Sequence, residues 1–311
     1  MITTPTPGDR PEFAVMNGDI VPFSEARISI MAPGLTFAVT VFEGVRAYWN
    51  ADEKQLFIFR LPEHLERLQF SMRMIELSPA PPSDRLSEAV AALIRANGYR
   101  ADCYIRPQAY VDDWGDMTAT GPVGWSVVCR PRPRVPAFEA GKDFMVVSWR
   151  RNTDDASPPR IKAAANYLNG RLSGLEAQRC GFGGAIILNR DGTVSEGPGG
   201  CLFMARGNCL ITPPVTDGIL ESITRATLLD LAQDLGIATE ERSIGRTELH
   251  LASELFYCGT GQEIVPIRTV DRKPIGDGEP GPLTRRLQEG YDAIVRGHNT
   301  RYRHWLTPVW S

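Results

Sequence analysis

Lys162 is one of four lysines in a chain of 311 residues, and its surroundings set it apart from the other three. Lys54, Lys142 and Lys273 stand in polar or turn-like runs beside Glu53, Gly141 and Pro274, and read as solvated. Lys162 follows Pro158-Pro159-Arg160-Ile161 and precedes three alanines, Asn166, Tyr167 and Leu168. An apolar setting disfavours the charged form of a lysine and frees its amine for Schiff-base chemistry with a carbonyl. Taken alone, such a residue is more simply a buried stem whose ammonium reaches water. The rest of the chain has to decide.

A lysine Schiff base points to pyridoxal phosphate, which also needs a phosphate cradle and a partner for its ring nitrogen. Ser222-Ile223-Thr224 opens a helix and offers backbone N–H donors, a hydroxyl and the positive end of the dipole. Glu196-Gly197-Pro198-Gly199-Gly200 puts a carboxylate at a strand end before a glycine-rich bend, where it could keep a pyridine nitrogen protonated. Gly259-Thr260-Gly261 is a further loop of backbone donors, and Arg60 closes a strand where it could pair with a phosphate. Read singly, each has a plainer meaning: an ordinary helix cap, a solvated glutamate, a turn, a surface ion pair.

The elements that must position these residues alternate between strand pairs and helices. Phe13 to Val21 reads as a hairpin turning at Asn17-Gly18-Asp19, Thr36 to Tyr48 as a strand region, and Gln55 to Arg60 as a strand. Leu61 to Leu77 and Arg85 to Asn97 carry apolar residues at helical spacing, with Pro62 at a helix start and Gly98 as a stop. Cys103 to Asp112 and Gly124 to Arg130 read as strands. Prolines at every other position of Pro131-Arg132-Pro133-Arg134-Val135-Pro136 give a stiff link, whose arginines read as solvated. Beyond it come a strand (Phe144 to Trp149), a helix (Tyr167 to Cys180), the pairs Gly184 to Leu188 with Thr193 to Glu196 and Leu202 to Met204 with Cys209 to Thr212, and a helix capped by Ser222 (Ile223 to Leu235). A short helix near Glu248, strands through Phe256 and Val265 to Val270, and a helix from Leu283 to Val295 complete it. The pattern predicts an α+β protein with a small N-terminal domain (1–130), a linker (131–142) and a larger cofactor-binding domain (143–311).

Composition narrows the function classes. An apolar share of 42%, a charged share of 23% and a net charge of −3 are those of an ordinary globular protein and argue against a general nucleic-acid or anionic-membrane binder. Six scattered cysteines without a C-x-x-C pair form neither a disulfide framework nor a zinc site, and no metal is expected. His64, His250, His298 and His304 show no ligand spacing and read as surface or structural groups. The polar, proline-rich start, Met1 to Glu12, is unlike a secretory signal, and no apolar run approaches the roughly 20 residues of a membrane helix, so a cytoplasmic protein is expected.

The order of these pieces resembles the class IV, or fold type IV, pyridoxal-phosphate aminotransferases, above all the branched-chain amino-acid aminotransferases. The similarity runs from about Phe13 to about Val295. Its marks are Val41-Phe42-Glu43-Gly44-Val45-Arg46, Phe59-Arg60 with Glu63-His64-Leu65-Glu66-Arg67-Leu68, Tyr104-Ile105-Arg106-Pro107, Lys162 with Asn166-Tyr167-Leu168, Ser195-Glu196-Gly197, Leu220 with Ile223-Thr224-Arg225, Gly259-Thr260 and Gly281-Pro282-Leu283-Thr284. The resemblance implies the two-domain D-amino-acid-aminotransferase-like architecture. It implies Lys162 as Schiff-base lysine and proton carrier, Glu196 on the pyridine nitrogen and Tyr167 on the phenolic oxygen. Arg60, Ile223, Thr224, Thr260 and the Gly199-Gly200 bend would bind phosphate, and Leu220 would pack on the ring. Tyr104 with the N–H groups of Thr260 and Gly261 would take the α-carboxylate, Arg106 the second carboxylate of glutamate or 2-oxoglutarate, and Arg46 would support them beside Phe42. It also implies at least a homodimer, with the segment around Phe37 reaching the neighbour's pocket.

Several positions depart from the family pattern. Phe37 stands where a tyrosine hydroxyl is usual, Ala38 replaces a glycine, and Asp116-Met117-Thr118 falls where a small loop is usual. Cys201 stands for an asparagine, and Glu221-Ser222 for Pro-Gly. These spare the cofactor set and loosen the substrate assignment. The implied activity is amino exchange between a hydrophobic, branched-chain L-amino acid and 2-oxoglutarate. The alternatives are an (R)-selective amine or D-amino-acid transaminase of the same fold, an aminodeoxychorismate lyase, and a non-catalytic relative that binds the cofactor or a metabolite.

Overall fold

Asn17-Gly18 turns the chain back between β1 (Phe13–Met16) and β2 (Asp19–Pro22), with Met16 opposite Asp19. Both turn residues take positive φ, 53° and 105°, the geometry that matches strand twist and that Asn and Gly tolerate. This hairpin is the edge of the first of two sheets in the computed structural model, which describes residues 10–310. The reading of the start of the chain falls, for residues 1–9, outside the described residues.

The chain divides into two compact units. The first takes the chain up to Pro133, Ile161–Ala165 and the chain from Ile294 onward. It holds the short helix α1 (Pro33–Thr36), β3 (Thr40–Phe42), β4 (Val45–Asn50), β5 (Gln55–Phe59), the helices α2 (Leu61–Met74) and α3 (Ser83–Ala96), β6 (Cys103–Val111) and β7 (Val123–Pro131). The sheet runs from a C-terminal strand, Leu306–Pro308, through β5, β4, β6, β7 and β1 to β2, with β3 paired to β6. Its pairings are antiparallel. Leu61, Leu65, Leu68 and Met72 of α2 and Leu86, Val90, Leu93 and Ile94 of α3 share one core with Val45, Ile58, Ile105 and Val127 of the sheet. Each such side chain contributes roughly 1.5–3 kcal/mol of burial.

The second unit comprises Arg134–Arg160 and Asn166–Ala293. It contains the one-turn helix α4 (Ala137–Ala140), β8 (Lys142–Arg150), α5 (Tyr167–Arg179), β9 (Gly184–Leu188), β10 (Cys201–Arg206), β11 (Cys209–Thr212) and α6 (Ile223–Asp234). Then come β12 (Ala238–Glu241), β13 (Glu254–Gly259), β14 (Glu263–Val270), β15 (Lys273–Pro274) and α7 (Pro282–Val295), whose last two residues are counted with the first unit. The sheet order is β12-β11-β10-β13-β14-β8-β9, with β15 on β14. Both sheets and the flanking helices make the expected α+β architecture.

The structure differs from the sequence reading in instructive places. The strand region expected over Thr36 to Tyr48 is divided into α1, β3 and β4, with the gap at Glu43-Gly44, where the Glu43 side chain is buried among polar partners described below. In the second sheet β8 pairs with both β9 and β14, and β11 with β12, in parallel. A parallel neighbour needs a long crossover, which α5 supplies between β8 and β9 and α6 between β11 and β12. The expected 131–142 linker includes the end of β7, α4 and the first residue of β8. Its arginines are engaged by partners: Arg134 pairs with Glu263 at 3.0 Å and with Asp292 at 2.7 Å, and the Arg132 guanidinium lies 5.2 Å from the centre of the Tyr104 ring. Two pieces of the expected 143–311 domain join the first unit instead. Leu306–Pro308 adds a strand to β5, and an isolated bridge between Val41 and Ala163 ties the lysine segment to β3. Among the described residues no helix is long and apolar enough to cross a membrane.

Candidate active site

The backbone of Lys162 is pinned on both sides within the first unit. Its carbonyl accepts from the Phe42 N–H at 3.1 Å, and its own N–H donates to the Ser71 Oγ of α2 at 3.1 Å. The side chain is half-buried, with Nζ 5.3 Å from the centre of the Phe42 ring. The Arg106 guanidinium lies on the same ring at 3.8 Å. Phe42, Lys162 and Arg106 are therefore brought together around one aromatic ring, a contact that attracts cations electrostatically.

Behind Phe42 the chain buries an acid. Glu43 takes two bonds from Arg67, Nε to Oε1 at 2.6 Å and Nη2 to Oε2 at 2.9 Å, and one from His64 Nδ1 at 2.8 Å. Burial pushes its carboxyl up, but the Arg67 charge and the bonds from His64 and Arg67 outweigh it and hold the group well below the usual carboxylate range. Burial lowers the His64 imidazole more than Glu43 raises it. The Glu43–Arg67 pair is already neutral, so a neutral imidazole donating Nδ1–H is the arrangement that adds no buried charge.

Gly44 is where the backbone gives way to Tyr104. A Cβ there would stand 2.2 Å from the Tyr104 hydroxyl, so no other residue leaves room for it. Arg46 lies opposite Tyr104 across β4 and β6, buried, with Nη2 donating to the Arg132 carbonyl at 2.7 Å. That placement suits a supporting residue. Arg60 takes a left-handed backbone (φ 51°, ψ 41°) at the start of α2, donates Nε to Glu63 at 2.8 Å, and lies 4.3 Å above the Trp305 ring.

A cavity of about 430 Å³ in the first unit is lined by Phe37, Ala38, Met74, Met117, Thr118 and Ala163, among others. It places the departures at Phe37, Ala38 and Met117-Thr118 beside the residue that follows Lys162. Ala38 adopts φ 56°, a conformation that glycine takes without strain. Phe37 is 48% exposed, which puts its ring at the mouth rather than the floor.

The second unit assembles its own group. Glu196 is buried and ion-paired with Arg151, Nη2 to Oε1 at 2.5 Å, and Arg151 Nε donates to the Gly218 carbonyl. Cys201, on β10, brings its thiol to 3.7 Å from Glu196 Oε2 and 3.8 Å from the Leu220 carbonyl. Burial pushes that thiol well up. The bend after Glu196 is closed by a bond from Gly197 N–H to the Gly200 carbonyl, and Gly199 N–H donates to the Tyr257 hydroxyl at 2.8 Å. A Cβ on Gly200 would stand 2.2 Å from the Cys258 carbonyl, which requires glycine. Tyr167 opens α5, whose Gly170 lies against Pro198 of the bend, so Tyr167 and the Glu196–Gly200 segment share one neighbourhood.

Ser222 caps α6 as read, its Oγ accepting from Arg225 N–H at 3.2 Å. The two preceding amides, of Ile223 and Thr224, belong to the first turn, where no intrahelical carbonyl is in reach. Thr260 and Gly261 form the turn between β13 and β14, closed by Gln262 N–H to the Gly259 carbonyl. Sequence reasoning missed Arg151, Trp305 and the Glu43–His64–Arg67 cluster. For Arg151 a signal existed: in the pair Arg150-Arg151 at a strand end, period-two alternation turns one side chain inward.

Residues 40–270 match the model of the family described as amino-transferase class IV. The chain belongs to this family. A probable branched-chain-amino-acid aminotransferase of Aquifex aeolicus (strain VF5) is 39% identical to this class IV aminotransferase over 309 residues, covering 96% of this chain and 97% of the relative. The crystal structure of a branched-chain amino acid aminotransferase from Thermobaculum terrenum in PLP-form is 41% identical, with a TM-score of 0.92, covering 97% of this chain and 100% of that one. The enzyme of Thermoproteus uzoniensis solved with norvaline is 38% identical, with a TM-score of 0.91, covering 96% and 100%.

Proposed function

We propose that this class IV aminotransferase uses pyridoxal 5′-phosphate to move an amino group between a branched-chain L-amino acid and 2-oxoglutarate. The observation that carries the reading is the buried Glu196–Arg151 pair beside the glycine bend. A carboxylate held in this way suits a protonated pyridine nitrogen. The other donors also fit the cofactor: the first-turn amides of α6 suit a phosphate, and Arg60 adds a guanidinium. Bound there, pyridoxal phosphate supplies an aldehyde carbon for the amine and a ring that accepts the electron pair from Cα.

The chain's own residues then have distinct tasks. Lys162 would hold the cofactor through Nζ, and the same amine would serve as the carrier of the substrate Cα proton. Glu196 keeps the ring nitrogen protonated, and Tyr167 donates to the phenolic oxygen. Arg60, Ile223, Thr224, Thr260 and the Gly199-Gly200 bend hold the phosphate, with Leu220 against the ring. The Tyr104 hydroxyl and the amides of Thr260 and Gly261 take the α-carboxylate. Arg106, steadied on the Phe42 ring, reads the second carboxylate of the acceptor, and Arg46 buttresses Tyr104.

We also infer a cytoplasmic homodimer with active sites near the subunit interface. Ile28, Ile30, Met31, Leu35 and Phe37 are exposed along one segment, and Trp114 and Met117 are exposed as well, apolar surface that a second copy would cover. Sedimentation of the purified protein tests the dimer. Steady-state turnover of L-leucine, L-isoleucine and L-valine against (R)-1-phenylethylamine and D-alanine tests the substrate. Faster turnover of the L-amino acids is expected, and faster turnover of the (R)-amine or D-alanine assigns the other transaminase class.

A further inference from the structure

The C-terminal segment grips the residue assigned to the cofactor phosphate. Arg60 N–H donates to the Trp305 carbonyl at 2.7 Å, and the Arg60 guanidinium lies 4.3 Å above the Trp305 ring. The indole is itself wedged: Tyr302 lies 4.4 Å from it, and Phe59 meets it edge-on at 6.1 Å. Leu306 pairs with Phe59 in the strand added to β5, and Gln55 Oε1 accepts from the amides of Val309 and Trp310. Arg60 meanwhile holds a left-handed backbone, a conformation that persists in a non-glycine residue where its surroundings over-determine it. With Nε fixed by Glu63 at 2.8 Å and the plane of the group fixed by the indole, the direction of the terminal nitrogens is set.

We infer that Trp305 is a positioning residue for phosphate recognition, acting through Arg60. The inference rests on Arg60 being a phosphate ligand. The indole orients the guanidinium before any ligand arrives, so its loss weakens binding of phosphate-bearing ligands selectively.

The test is equilibrium binding of pyridoxal phosphate and of pyridoxal, which lacks the phosphate, to full-length protein freed of cofactor. Trp305→Leu keeps apolar bulk and removes the aromatic face, Trp305→Phe retains a face, and Arg60→Ala removes the cation. Trp305→Leu is expected to weaken pyridoxal phosphate about tenfold while leaving pyridoxal unchanged. Trp305→Phe is expected to restore most of the preference. Equal weakening of both ligands would make the indole merely structural and overturn the inference, as would native binding in Trp305→Leu. If Arg60→Ala keeps the native preference for pyridoxal phosphate, the reading of Arg60 itself fails, whatever Trp305→Leu shows.

Discussion

Arg151 and Glu196 form a buried ion pair, Nη2 to Oε1 at 2.5 Å, in which the arginine also donates to the Gly218 carbonyl. The pair fixes the carboxylate at the mouth of the glycine bend. Removing Arg151 alone leaves an uncompensated buried charge. Arg151→Met is therefore expected to destabilise the protein by about 3–5 kcal/mol, and the double variant Arg151→Met, Glu196→Gln by much less than the sum of its parts. Urea unfolding of the two single variants and the double one measures the coupling.

Glu43 and His64 make stability depend on pH in one direction. Glu43 is held below the ordinary carboxylate range, so its contribution is present above about pH 4.3 and is lost as pH falls through its lower folded value. Burial lowers His64, so the unfolded chain takes up its proton first, and that contribution is lost as pH falls below about 6.5. Denaturant unfolding across a pH series is expected to show a plateau above about pH 6.5 and a decline on acidification. Glu43→Gln is expected to be less stable at pH 7 by about 3–5 kcal/mol, with the gap closing in acid.

Gly44 exists to admit the Tyr104 hydroxyl. Gly44→Ala puts a methyl where that oxygen stands, 2.2 Å from it, and must move the tyrosine. KM for the amino donor is expected to rise roughly tenfold or more, the scale of one lost hydrogen bond to a charged group. The band of bound cofactor should persist. Steady-state kinetics on the loaded variant separates the two effects.

Phe37 lines the cavity beside Ala163 without a polar atom to offer. Phe37→Tyr is expected to lower KM for 2-oxoglutarate severalfold and to leave KM for L-leucine near its native value. Acceptor titration at fixed donor checks it.

What the sequence disclosed was local chemistry. The Asn17-Gly18 turn, the Ser222 cap and the apolar stripe of α2 depend on residues within a few positions of one another, and each is found where it was read. What it hid depends on distant partners. Glu43 breaks an otherwise strand-like run because His64 and Arg67, more than twenty residues on, bury its charge. The strand Leu306–Pro308 is too short to show a period and exists because β5 offers an open edge. The parallel pairing of β8 with β9 is set by the crossover of α5, not by either strand's composition. The family motifs single out Lys162, Glu196 and Arg60 as the residues proposed for the cofactor, whereas Arg151 and Trp305, which contact Glu196 and Arg60, lie outside those motifs.

The most direct test is the visible absorption spectrum of the purified protein before and after L-leucine, repeated with (R)-1-phenylethylamine and with Lys162→Ala. A band from lysine-bound cofactor that is absent in Lys162→Ala and converts to the pyridoxamine form with L-leucine is the result expected. Conversion with the (R)-amine alone would contradict the substrate assignment, and no such band after added pyridoxal phosphate would contradict the account as a whole.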